Sequence, residues 1–174
     1  MAHLSAIAYA SLDHVIDSCY AKGEAPLILV LDRITDVRNF GAIARTAECA
    51  GVHAILIPEK GSAQINSDAV KTSAGALHHL PVARAKNLFF AVKELQKSGL
   101  QLICVSEKAD APMYATDFTV PTALILGSEE DGISSELFSL ADGKVSIPMK
   151  GQIESLNVSV SAGVVIYEVM RQRQ

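Results

Sequence analysis

Apolar residues in this chain fall into short runs divided by breakers and by stretches of helical spacing. Leu27 to Leu31, His53 to Ile57, Gln101 to Val105, Ala123 to Leu126 and Lys144 to Ile147 read as strands. Between them the period lengthens. Phe40 to Ala50 sets Phe40, Ile43, Ala44 and Ala47 on one face and stops at Gly51. Leu88 to Lys97 carries a stripe of Leu88, Val92 and Leu95 and stops at Gly99. Ser134 to Leu140 forms a shorter helix after Gly132, and Asn157 to Arg173 closes the chain. Gln64 to Leu77 is read as partly helical, its glycine and serines interrupting the pattern. Residues 1–25 are expected to form a small helical segment or linker, with helix from Ala2 to Tyr20.

Strands alternating with helices predict an α/β domain, with a mostly parallel sheet covered on both faces. In such sheets ligands gather beyond the carboxyl ends of the strands. The polar clusters obey that rule: Asp32 to Arg38 follow the first strand, Gly127 to Gly132 the fourth and Pro148 to Ser155 the fifth. The 174 residues, 49% of them hydrophobic, suit one domain with a sizeable core. No apolar run approaches the ~20 residues of a membrane span, and Met1 to Ser11 lack the pattern of a secretory signal, so cytoplasm is expected.

Cys19, Cys49 and Cys104 are odd in number and far apart, which argues against a disulfide framework or a zinc site. The adjacent His78 and His79 would point to opposite faces of a strand and lack ligands nearby, so no metal is expected. A net charge of −4 weighs against a generic nucleic-acid binder. It leaves room for a local basic patch from Arg33, Arg38, Arg45, Lys150, Arg171 and Arg173.

Three segments carry candidate chemistry. After the first strand, Asn39 is placed to cap a helix, Gly41 lets another backbone approach, and Arg45 puts a guanidinium on a helix of Ala and Ile. A surface pair of Arg45 with Glu48 or Asp32 is the structural alternative. After the fourth strand, Gly127 and Gly132 bracket Glu129, Glu130 and Asp131. The glycines allow close approach to a ligand, and Glu129 can position a hydroxyl or a cation. A solvated acidic turn and a magnesium cluster are the alternatives there. After the fifth strand, Pro148 cannot extend the ladder, and Ser155 and Asn157 open a helix that Asn157 is suited to cap. Dinucleotide-binding, P-loop and G-x-S-x-G signatures are missing.

In order and spacing, Asn39-x-Gly41-x-x-x-Arg45, Leu126-Gly127-Ser-Glu129-x-x-Gly132 and Ile147-Pro-Met149 with Ser155-Leu-Asn-Val-Ser159 resemble the SpoU (TrmH-like) branch of the SPOUT RNA methyltransferases. The resemblance spans roughly Leu27 to Arg173. Ser62 to Ser67 and Ser73 to Ala76 further resemble the members that modify a guanosine of ribosomal RNA.

The resemblance implies a catalytic domain over 26–174 with a C-terminal trefoil knot, and a homodimer in which Arg45 of one chain works beside the cofactor of the other. The implied cofactor is S-adenosylmethionine, held by Leu126, Gly127, Gly132, Ile147, Pro148, Met149, Ser155, Leu156 and Asn157, largely through backbone groups. Asn39, Arg45, Glu129, Ser155 and Asn157 are implied to face the reacting centre. Methyl transfer to a ribose 2′-hydroxyl of ribosomal RNA is the activity implied first. A tRNA ribose, an inactive RNA-binding paralogue and a cofactor-binding regulatory module are the alternatives. The residues before Pro26 are too few for an independent RNA-binding domain.

Overall fold

The computed structural model, which describes residues 5–174, alternates strands with helices as the apolar pattern predicts. Six strands, β1 (Leu27–Asp32), β2 (Ala54–Pro58), β3 (Val82–Ala85), β4 (Gln101–Val105), β5 (Thr122–Gly127) and β6 (Gly143–Val145), lie in the order β3-β2-β1-β5-β4-β6. Every pairing is parallel. The helices are α1 (Leu12–Ala21), α2 (Val37–Cys49), α3 (Ser67–Thr72), α4 (Leu88–Lys97), α5 (Ser135–Leu140) and α6 (Val158–Gln172).

All six positions of β1 are buried, because both faces of a parallel sheet are covered by helices. Leu27, Leu29 and Leu31 pack with residues of α2, α3 and α6 on one face. Ile28 and Val30 meet residues of α1, α4 and α5 on the other. Phe40 of α2 is fully buried in the first layer, and its truncation to Ala would cost about 3–5 kcal/mol. α2 and α3 approach closely at Gly41, where a Cβ would lie 2.7 Å from the Thr72 side chain. The expectation of close approach at Gly41 is met by this packing.

α6 runs back from the carboxyl to the amino edge of the sheet, and its last turn is anchored there. The Arg173 guanidinium donates to the carbonyls of Ala25 (2.7 Å), Phe118 (2.8 Å) and Val120 (2.9 Å), just before β1 and β5 begin. Arg171 forms a bidentate pair with the buried Glu168. These two arginines therefore belong to the end of the sheet away from the polar loops, and do not join the expected basic patch.

Other expectations need correction. α2 starts at Val37 with Asp36 as its cap, the Asp36 side chain accepting from Asn39 N, so Asn39 sits inside the first turn and does not cap. The last strand ends at Val145; Ser146 makes only an isolated bridge to Pro112 and Ile147 lies in the loop. β3 was not expected: Pro81, Arg84 and Lys86 break its apolar pattern, as suits a short edge strand. His78 and His79 lie at a 3-10 turn (Ala76–His78), not on a strand. Of the leading helix expected over Ala2 to Tyr20, positions 2–4 lie outside the described residues, 5–11 are not helical, and α1 begins at Leu12. All three cysteines are free, and burial pushes the Cys104 thiol up to about 12, so it is inert at neutral pH. Among the described residues, no helix is long and apolar enough to cross a membrane.

Candidate active site

β1 has β2 on one side and β5 on the other, so the chain order reverses between β1 and β5. A crevice opens at such a switch point, beyond the carboxyl ends of the strands. Here it is a cavity of about 740 Å³, within the range of pockets that hold nucleoside-sized ligands. Its wall comes from four loops. Arg33 follows β1, Ser106 to Lys108 follow β4, Gly127 ends β5 and Ser128 to Ser134 follow it, and Ile147, Met149, Ser155 and Leu156 lie between β6 and α6. Leu126, Ile133, Phe138, Ile147 and Leu156 give apolar surface, while Glu107, Glu129, Glu130 and Asp131 add carboxylates.

The loop after β5 is folded tightly on itself. A Cβ on Gly127 would lie 2.2 Å from the carbonyl carbon of Gly132 and 2.4 Å from the amide nitrogen of Ile133, so no other residue fits without opening the loop. Gly132 itself has φ +66°, and its amide donates to the Ser128 carbonyl at 2.8 Å. The Ser128 hydroxyl accepts from Asp131 N at 3.1 Å. Beneath the loop, the buried Asp32 accepts from Ser134 N at 2.7 Å, and Arg33 Nη2 donates to the Gly132 carbonyl at 3.0 Å.

Beside the cavity, residues far apart in sequence interlock. Asn157 Nδ2 donates to Glu129 Oε1 (2.9 Å) and to Asn39 Oδ1 (3.1 Å), and Val158 N donates to the same Glu129 oxygen (3.1 Å). Asn157 also caps α6 as expected, its Oδ1 accepting from Ser159 N and Val160 N. One asparagine thus couples the opening of α6 to the loop after β5 and to the first turn of α2.

Of the residues proposed from sequence, Leu126, Gly127, Glu129, Gly132, Ile147, Met149, Ser155 and Leu156 line the cavity. Asn157 reaches it through Glu129, and Asn39 through Asn157. Pro148 is exposed and outside the lining. Arg45 is also outside it: exposed on α2, with no hydrogen bond or ion pair among the described residues, and paired with neither Glu48 nor Asp32. It lies six residues beyond Asn39, about 9 Å further along the helix. Sequence reasoning missed the stretch after β4 and Phe138. The rule that ligands collect beyond strand ends, applied to Gln101 to Val105, would have found the first.

Glu129, Glu130 and Asp131 do not converge as a metal-ligand set among the described residues. Cys19, Glu24 and His53 do come together, at the opposite end of the sheet, just before β1 and β2 begin. However, His53 Nδ1 accepts from Leu27 N (2.9 Å), so Nε2 carries the hydrogen and donates to Glu24, leaving no lone pair for an ion.

Residues 26–167 match the family model described as the SpoU rRNA Methylase family. The chain is 43% identical over 166 residues to an "uncharacterized tRNA/rRNA methyltransferase" of Mycobacterium sp. (strain KMS), covering 95% of this chain and 53% of that protein. It is 44% identical over 153 residues to the 23S rRNA (guanosine-2'-O-)-methyltransferase RlmB of Xanthomonas axonopodis pv. citri (strain 306), covering 88% of this chain and 61% of that one. It resembles the solved structure of the SpoU methyltransferase AviRb from Streptomyces viridochromogenes in complex with AdoMet. The TM-score is 0.79 at 32% identity, with 86% of this chain and 58% of the other covered. The chain thus spans little more than half the length of these relatives.

Proposed function

This chain belongs to the SpoU rRNA methylase family, and from that membership we propose that it transfers the methyl group of S-adenosylmethionine to a ribose 2′-hydroxyl of RNA. Ribosomal RNA is the first substrate; tRNA is the second, since one relative is named for both. The observation that carries the proposal is the cavity itself, walled by segments of the second and third motifs and joined through Asn157 to the first.

The residues present fit such a cofactor. About 740 Å³ accommodates a nucleoside with an amino-acid tail. Gly127, with no room for a Cβ, lets the loop close onto Gly132 and Ile133 at the cavity wall, and apolar Leu126, Ile147 and Leu156 suit an adenine ring. The carboxylates of Glu129, Glu130 and Asp131 suit a cationic sulfonium. When bound, S-adenosylmethionine supplies an electrophilic methyl group whose transfer removes the positive charge from sulfur.

The chain's own residues supply orientation, which accounts for much of the acceleration in an in-line displacement. Glu129 is held by Asn157 Nδ2 and Val158 N, and Asn39 is held by Asn157, so these side chains are preset before substrate arrives. Gly132 and Met149 complete the proposed cofactor site, with Pro148 between Ile147 and Met149 shaping that loop from outside the lining, and Ser155 faces the reacting centre. Arg45 orients the ribose hydroxyl and an adjacent phosphate. A guanidinium, with pKa above ~12, is a poor proton acceptor, so the proton leaves to water or a neighbouring group.

Arg45 lies outside the cavity of its own chain, which supports a homodimer that delivers it to the partner's cavity. Exposed Val160 and Tyr167 on α6, with Ile153 and Met149 in the preceding loop, offer the apolar surface for that contact. The proposal includes a trefoil knot in the C-terminal segment, a catalytic domain over 26–174 preceded by a helical segment, and action in the cytoplasm.

The test is methyl transfer from labelled S-adenosylmethionine to ribosomal RNA and tRNA, followed by nucleoside analysis. A 2′-O-methylated nucleoside is expected, from ribosomal RNA before tRNA. Binding of S-adenosylhomocysteine without any transfer would favour the cofactor-binding regulatory module, or the inactive RNA-binding paralogue where RNA is bound as well. A base-methylated product would overturn the proposed reaction.

A further inference from the structure

Arg33 is a non-glycine residue with φ +62°, in the left-handed region where a Cβ crowds the backbone. Such outliers persist where the surroundings over-determine them, and they gather at functional sites. Arg33 follows β1, lines the cavity, and reaches across to the Gly132 carbonyl at 3.0 Å. Its Nε is buried 3.3 Å from Asp32 Oδ1, without a well-directed hydrogen bond. Asp32 is only 5% exposed, and it sits in register beside Gly127, at the root of the glycine loop. A buried carboxylate needs a cation or donors, and here it has both: Arg33 for its charge and Ser134 N for its second oxygen.

We propose that Asp32 and Arg33 form a clamp that sets the shape of the Gly127–Gly132 loop and thereby the affinity of the cavity for the methyl donor. The two anchors grip the loop at Gly132 and Ser134, on either side of the cavity-lining Ile133. Glycine at position 33 would satisfy the backbone at no steric cost, so it is the guanidinium's two contacts that account for an arginine there. Both are positioning residues, acting through the loop, and the inference rests on the reading of the cavity as an S-adenosylmethionine site.

Arg33→Ala and Arg33→Gly separate clamp from scaffold, because both lose the guanidinium while only glycine relaxes the backbone. Calorimetry with S-adenosylhomocysteine should show affinity reduced about tenfold in both, the scale of one charge-assisted hydrogen bond. Arg33→Gly should nevertheless melt about 2–4 °C above Arg33→Ala. In turnover assays KM for S-adenosylmethionine should rise in both variants while KM for RNA stays near wild type. Affinity that follows melting temperature, or wild-type affinity in both variants, would overturn the clamp. Failure of the wild-type protein to bind S-adenosylhomocysteine would instead overturn the reading of the cavity on which the clamp rests.

Discussion

Gly127→Ala probes the cavity at its tightest point. The new methyl group would lie 2.2, 2.3 and 2.4 Å from three backbone atoms of Gly132 and Ile133, none of them the far end of a flexible side chain. Restoring ordinary contact would push the loop back by more than about 1 Å. That retreat strains the Gly132 N to Ser128, Arg33 to Gly132 and Ser134 N to Asp32 hydrogen bonds. The first is worth about 1 kcal/mol net and the two that involve a charged group about 1.5–3 each; strained and not broken, and with water replacing part of them, they put roughly 2–3 kcal/mol of stability at stake. For a chain of this size the melting temperature should fall by about 5–10 °C. Cofactor affinity should drop at least about tenfold, since the displaced loop forms the cavity wall. Gly132→Ala is the control: its φ of +66° is strained for alanine, but nothing lies within 4 Å of the added Cβ. It should cost only about 1–2 kcal/mol. Scanning calorimetry and titration with S-adenosylhomocysteine measure both effects. Equal losses in the two variants, or wild-type affinity in Gly127→Ala, would refute the steric reasoning.

Arg45→Lys keeps the charge but removes the planar fork, and should lower kcat by about ten- to a hundredfold with RNA affinity unchanged; near-wild-type turnover would show that the fork is dispensable. Asn157→Asp keeps the acceptor that caps α6 but loses the donor to Glu129 and Asn39 and sets two carboxylates together. It should melt within a few degrees of wild type yet lose methyl transfer by at least about tenfold, and full activity would remove the interlocked cluster from the mechanism. The hydrogen bonds from Arg171, then from Gln172, hold the Glu168 carboxyl at about 2, below its ordinary 4.5. Because the folded value is the lower one, this stabilisation is complete above about 4.5 and is lost as pH falls through about 2. Melting scans over that window should therefore show the wild type losing a few degrees more than Glu168→Gln, and parallel curves would contradict the assignment.

Strands buried on both faces announce themselves as apolar runs, which is why Gln101–Val105 was bounded correctly and β1, β2 and β5 to within a residue or so at each end. β3 escaped because four residues at a sheet edge need bury only Val82 and Ala83, and Arg84 erases the pattern. The cap of α2 went to Asp36 because the helix begins one turn before Phe40: Val37, three residues earlier, extends the same apolar face, and Asp36 ahead of it accepts from Asn39 N. Glycine spacing marked the loop after β5, yet Asp32 and Arg33 could be assigned their contacts only in three dimensions, where Asp32 stands beside Gly127. Arg173 shows the limit of charge counting: a cation near a motif in sequence is used at the other end of the sheet, on backbone carbonyls.

A crystal structure with S-adenosylhomocysteine tests the central claim most directly. The ligand is expected between the Gly127 loop and the segment from Ile147 to Leu156, with Arg45 of a second copy approaching its sulfur. A ligand bound elsewhere, or Arg45 facing solvent in every assembly while the cavity stays unfilled at saturating ligand, would contradict it.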